Sequence, residues 1–304
     1  MDHGAAGKAR QGGDATNEAD IGGSHHVTSL GATIWYRHVP GYGPTCVFLH
    51  GLGGNSAPMR RLAAPFEEIG RSTLMLDMRG HGMSEAPDTS AFSLLEYAQD
   101  ILDVIDQLGI ECADLVGHCM GGMVALKVRE LRPALVRNMV LISTTSHTAK
   151  STRSRTIRAA ARLTDSVVPA VAPRWYRKRI LAQPDPCTFP RHPDIYLPRL
   201  RADVANTSLR VMVRSLMELL SADVRSAAVS LDQGALVVHG RRDHIIPESA
   251  ALETHGLIEG SRLVLLENDG HVSHVLGDVG PLSADLGEFL GLDSDLANTT
   301  TIGG

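Results

Sequence analysis

Six short runs along the chain are apolar at nearly every position: "TCVFLHG" (45–51), "STLMLD" (72–77), "ADLVG" (113–117), "RNMVLIS" (137–143), "ALVVHG" (235–240) and "RLVLLEN" (262–268). Runs this short, rich in β-branched residues and without polar alternation, read as strands buried on both faces of a parallel sheet. Between and after them the polar and apolar positions take a helical period, in "APMRRLAAPFEEIG", "LLEYAQDILDVIDQLG", "GGMVALKVRELRP" and "PLSADLGEFLG". In the second, Leu95, Ala98, Ile101, Leu102, Ile105 and Leu108 form one stripe, and Gly109 is the stop signal. Strand and helix in alternation predict a doubly wound, mostly parallel α/β sheet. Ahead of it, "HHVTSLGATIWYRHV" reads as two antiparallel strands turning at Gly31.

The alternation breaks between residues 146 and 229, where no strand run occurs and the helical patterns "TIRAAARLTDSVVPAVA" and "NTSLRVMVRSLMELLSADV" appear. An all-helical insertion in such a core is expected to act as a lid. The pattern therefore divides the chain into a polar segment over 1–24, expected to be disordered, a core at 25–145 and 230–292, the lid at 146–229, and a flexible tail at 293–304. A chain of 304 residues that is 43% hydrophobic is long enough for one large domain with an insertion. No apolar run reaches the roughly 18 residues that a membrane span needs, and no membrane association is expected. The first residues carry no apolar export signal, and Cys46, Cys112, Cys119 and Cys187 show no framework spacing. Free thiols in a reducing cytoplasm are the expectation.

Chemistry concentrates at three turns. Gly117-His118-Cys119-Met120-Gly121 lies where a strand run ends and a helical one begins. So sharp a turn strains its middle residue and needs small neighbours, which Gly117, Gly121 and Gly122 supply. The Cys119 side chain then projects above the sheet at the positive end of the next helix, where a thiolate is favoured. A free cysteine is usually a small buried hydrophobe, and Cys46, Cys112 and Cys187 are read that way. A nucleophile needs a base and an orienting acid. Asp243 follows the strand run "ALVVHG", and His271 follows "RLVLLEN", giving the chain order Cys119, Asp243, His271 that this topology requires. The alternative acid position after "RNMVLIS" holds Ser143 and Thr144; Asp269 and His274 are the fallback acid and base. The third turn, "HGLGG" at 50–54, bends backbone N–H groups inward. The N–H of Leu52 and that of Met120 are expected to receive the oxyanion of an acyl-transfer intermediate. His50 and His118, on these turns, are expected to contact substrate.

With those residues in view, the chain resembles the α/β-hydrolase superfamily over about residues 26–291. "HGLGG", "DMRGHGMSE" (77–85), "GHCMGGMVAL", "GRRDHIIP" and "DGHVSHV" follow in that family's order. The resemblance implies an acyl-enzyme mechanism without a cofactor, and makes Asp77, Arg79 and His81 scaffold. Most relatives carry serine at the position of Cys119. Aspartate at this position, as in epoxide hydrolases and haloalkane dehalogenases, is absent here. Cysteine occurs in the dienelactone hydrolases and polyhydroxyalkanoate synthases, whose other features are not matched. The local sequence is nearer the lidded esterase, lactonase and acyltransferase branch.

A cysteine acyl-enzyme is a thioester, which amines and thiols attack readily. Hydrolysis of an ester, thioester or lactone is the first expectation, with acyl transfer from coenzyme A or a carrier protein as the alternative. A non-catalytic ligand-binding relative is a third reading, opposed by the complete set of Cys119, Asp243 and His271. Charge bears on the choice. Residues 146–229 hold 15 basic and 6 acidic side chains, a balance of +9, against −14 for the remainder. A basic lid, with Arg174, Arg177 and Arg179 as its docking patch, would suit an anionic acyl donor; equally, it would pair with the acidic body. "RWYRKR" at 174–179 is too short and too poor in aromatic residues to suggest nucleic acid.

Overall fold

The computed structural model describes residues 23–148, 152–171, 201, 205–231, 234–272 and 279–291. Eight strands form one sheet: β1 (Ser24–Val27), β2 (Thr33–Val39), β3 (Tyr42–Leu49), β4 (Arg71–Leu76), β5 (Ala113–His118), β6 (Val136–Ile142), β7 (Ala235–Gly240) and β8 (Arg262–Leu266). Their order is β1-β2-β4-β3-β5-β6-β7-β8. β1 and β2 run antiparallel, as does β2 against β4, and every later pairing is parallel. β1 begins at Ser24, the last residue of the segment expected to be disordered. Residues 1–22 and the expected tail lie outside the described residues.

Burial on both faces explains the apolar runs of β3 to β7, whereas β8, expected to be buried as well, lies at the sheet edge with no buried residue. Side chains alternate across a strand, so Val47 and Leu49 of β3 join one core while Cys46 and Phe48 join the other. The first core is closed by α2 (Leu94–Gln107) and α3 (Met120–Leu131). The second is closed by α1 (Met59–Glu68), which contributes Met59, Leu62, Ala63 and Phe66. α2 starts at a capping box, in which Ser93 accepts from the Glu96 N–H and the Glu96 carboxylate accepts from the Ser93 N–H. Ala98, Ile101, Leu102 and Ile105 of the expected stripe are buried and Leu108 packs against the same core, but Leu95 is 51% exposed, and Leu94 and Tyr97 are buried in its stead. Gly109 follows the helix with φ of 65°, as its stop role requires.

Between β6 and β7 lie α4 (Thr152–Val171), α5 (Leu209–Leu219) and α6 (Arg225–Val229), with no strand among the described residues there. α5 is fastened to the segment ahead of α2 and to α2 itself. Arg210 pairs with Asp88 at 2.5 Å, Arg214 donates to the Ser90 carbonyl at 3.1 Å, and the Tyr97 and Ser215 hydroxyls meet at 2.6 Å. The sequence pattern missed α7 (Glu248–Leu257), which buries only the small Ala251 and Thr254 and so shows no apolar stripe. α8 (Gly280–Leu290) returns to the second core through Leu282, Leu286 and Leu290. None of the described helices is long and apolar enough to cross a membrane.

The chain order reverses direction between β3 and β5, which are neighbours in the sheet. The carboxyl ends of strands at such a switch point open onto a crevice where ligands bind. "HGLGG" leaves β3 there, and Cys119 leaves β5 beside it.

Candidate active site

Cys119 occupies the N-cap of α3 with φ of 53° and ψ of −115°, a conformation that L-residues rarely adopt. Close packing holds it there. A Cβ on Gly117 would come within 2.5 Å of the Gly121 carbonyl oxygen, and one on Gly121 within 2.3 Å of the Leu49 oxygen. The Cys119 N–H donates to the Ile142 carbonyl at 2.9 Å, and its own carbonyl accepts from Thr144 Oγ1 at 2.6 Å. Thr144 was considered in the sequence only as a position lacking an acid. Its hydroxyl is a brace on the turn, visible only once β5 and β6 are in register.

Asp243 and His271 meet although they lie on different loops. His271 Nδ1–H donates to Asp243 Oδ2 at 2.7 Å, and Asp243 Oδ1 accepts from the N–H groups of Ile245 and Ile246, each at 2.8 Å. Burial would raise the Asp243 pKa, but those bonds and the His271 charge hold it below the usual carboxylate range. Burial likewise opposes charge on His271. The charge of Cys119, hydrogen bonds to Asp243 and Cys119, and the Asp243 charge override it and push His271 up to about 10. The imidazole thus bridges sulfur and carboxylate, with Nδ1 committed to the acid and the other nitrogen left for Cys119.

A buried neighbour that the sequence did not disclose is His239. It donates from Nε2 to the Ile246 carbonyl at 3.1 Å and stands 3.8 Å from Asp243 Oδ2. Burial lowers its pKa, which keeps the ring neutral beside the acid. A histidine ending an apolar strand four residues before the acid was the available signal, but its inward direction follows only from the packed sheet.

The Gly-rich loop after β3 abuts the cysteine: a Cβ on Gly51 would lie 3.2 Å from the Cys119 Cβ. Leu52 follows, partly exposed, and Met120 is the first residue of α3, whose N–H has no carbonyl four residues back to receive it. The loop is steadied by Thr207, which donates to the Gly53 carbonyl at 3.1 Å.

The two histidines expected to touch substrate are turned to other tasks. His50 is 1% exposed; its Nδ1–H donates to the Gly51 carbonyl at 2.8 Å, and its Nε2 accepts from the Met78 N–H at 3.0 Å. Both ring nitrogens are committed to backbone, so His50 ties the loop after β3 to the loop after β4. His118 is buried and donates from Nε2 to the His271 carbonyl at 2.9 Å. Asp77 and Arg79 take the scaffold parts expected of them. Asp77 receives the N–H groups of Ser56 and Met83, each at 2.7 Å, and Arg79 forks onto Asp100 at 2.5 and 2.7 Å. Asp269 is not the partner of His271 Nδ1. His274, Cys187, Arg174, Arg177 and Arg179 lie outside the described residues.

Comparison with known proteins agrees with this architecture. A family model described as "alpha/beta hydrolase fold" matches residues 44–278. RutD of Pseudomonas savastanoi pv. phaseolicola, named as a candidate carbamate hydrolase, is 28% identical over 265 residues, covering 81% of this chain and 93% of that one. A solved hydrolase from Pseudomonas aeruginosa superposes with a TM-score of 0.71 at 23% identity, covering 90% of this chain and 100% of its own. The enol-lactonase of Burkholderia xenovorans superposes with a TM-score of 0.69 at 22% identity, covering 88% and 100%.

Proposed function

Because the chain belongs to the alpha/beta hydrolase fold family, we propose that it is a hydrolase that opens an ester, thioester or lactone through an acyl-enzyme on Cys119. The observation that carries this reading is His271, hydrogen-bonded to Cys119 on one side and to Asp243 on the other. The thiolate attacks the acyl carbon, and the carbonyl oxygen gains charge where the N–H groups of Leu52 and Met120 can receive it. Collapse of this intermediate expels the leaving group, which takes the proton from the His271 imidazolium. The now neutral imidazole draws a proton from water, and the hydroxide oxygen attacks the thioester. The second intermediate releases the acid and returns the thiolate, with His271 again protonated. Asp243 keeps Nδ1 occupied throughout, so the other nitrogen always faces the sulfur.

The helical stretch between β6 and β7 fits the role of a lid, since Thr207, just ahead of α5, donates to the Gly53 carbonyl in the loop that carries Leu52. Cysteine in place of serine also favours a second outcome, acyl transfer, because a thioester is attacked readily by amines and thiols. The test is turnover of a panel of aryl esters, acyl thioesters and lactones by the parent and by Cys119→Ala, Asp243→Asn and His271→Ala. Each substitution should cost at least about a hundredfold in kcat, with the double variants little worse than the single ones. Parental turnover by Cys119→Ala would remove the reading. Product that partitions to an added amine or thiol, with hydrolysis suppressed, would select acyl transfer.

A further inference from the structure

We propose that His118 is a positioning residue that aligns the base with the nucleophile, an assignment that rests on the acyl-enzyme reading above. His118 immediately precedes Cys119 and ends β5, whose backbone is fixed by the parallel pairing of His118 with Ile142. Its Nε2–H reaches across to the main-chain carbonyl of His271 at 2.9 Å, and the two rings lie 5.0 Å apart at 49°. The opposite edge of the ring closes on the loop after β3, where a Cβ on Gly51 would sit 3.1 Å from Nδ1. One imidazole therefore touches the oxyanion loop, the nucleophile's own peptide and the residue that carries the base.

This contact matters because His271 arrives on a loop, whereas Cys119 is anchored in the sheet and at a helix end. The bond to Asp243 fixes one side of the imidazole, and the Arg242 N–H holds the loop two residues earlier, at the Asp269 carbonyl. The donor from His118 acts on the main chain of His271 itself, and it comes from the same dipeptide that sets the position of the sulfur. Displacement by about 1 Å at a reacting atom is enough to cost orders of magnitude in rate. Burial of the ring, with Nε2 spent on a carbonyl, is the signature of alignment rather than of substrate contact.

Two variants of similar polarity separate these roles. In His118→Gln the side-chain amide can place an N–H near the position of Nε2, whereas in His118→Asn the amide falls short of the His271 carbonyl. The readouts are kcat and KM for a small aryl ester, thermal midpoint, and the pH dependence of Cys119 alkylation by iodoacetamide followed by peptide mass. His118→Gln should keep kcat within about threefold of the parent. His118→Asn should lose tenfold or more in kcat at similar KM, and the upper titration in its alkylation profile should move to lower pH than in the parent measured alongside. The proposal is overturned if His118→Asn matches His118→Gln in kcat and titration, if both are equally impaired, or if only KM changes. Cys119→Ala, measured alongside, tells the two kinds of failure apart: parental turnover there removes the acyl-enzyme reading, and this proposal with it.

Discussion

His271 meets Asp243 through Nδ1 and Cys119 through its other edge, so its protonated ring offers a separate N–H to each. Desolvation would release one proton early, but Cys119 and Asp243 together hold it up to about pH 10. The folded protein therefore binds it more tightly than the unfolded chain, where histidine titrates near 6.5. Stability linked to His271 is fully present below the unfolded value and is lost as pH rises through about 10. Between pH 7 and 9 the parent should be alkylated at Cys119 much faster than His271→Ala, and the difference should close as pH passes about 10. A rate ratio that stays constant through pH 11 would show that no imidazolium pairs with the sulfur. His239, kept neutral by burial, does not compete for this role. That distinction was hidden in the sequence, where both histidines merely follow apolar runs.

The elements around the site were legible to the extent that their periodicity was complete. All six apolar runs are strands, of which β3 to β7 are buried and β8 lies partly exposed at the sheet edge, and the turn at Cys119 was marked by Gly117 and Gly121, whose Cβ positions are occupied by backbone. α7 was illegible because its core side is alanine and threonine, and the α2 stripe was misjudged at Leu95 because the helix faces α5 through Tyr97. Long-range polar order was also invisible. At the opposite end of the sheet from Cys119, Asp114 of β5 receives Arg71 of β4 at 3.0 Å, and Arg137 and Asn138 of β6 at 2.9 and 3.0 Å. Both Arg71 and Asp114 are buried, so removing the carboxylate leaves the guanidinium its bond to the Pro44 carbonyl but takes away its counter-charge. Asp114→Ala should lower stability by roughly 3–5 kcal/mol, read from urea unfolding, because a broken buried pair leaves an uncompensated charge. A loss below about 1 kcal/mol would mean that Arg71 finds water or another acceptor.

Across the whole molecule, ion pairing of the helical insertion with the core offsets part of its positive charge, whereas pairing inside the insertion leaves that net charge unchanged. Arg210 goes to Asp88 of the core, while Arg214 and Arg225 go to Asp165 and Asp223 of the insertion itself. Arg210 also stands 5.4 Å from the centre of the Phe92 ring, so its contribution is packing as much as charge. Relatives named as hydrolases, at 22–28% identity, do not specify an acyl group for this chain. Sulfur stands at the apex of the turn after β5. The most direct measurement is rapid acid quench of the enzyme during turnover of an acyl thioester or aryl ester, followed by intact and peptide mass spectrometry. The parent should carry one acyl group, on the peptide containing Cys119, at a level that rises in His271→Ala if deacylation becomes limiting, and Cys119→Ala should carry none. Steady turnover with no acyl mass on Cys119, or an adduct on another residue that survives in Cys119→Ala, would contradict nucleophilic catalysis by this cysteine.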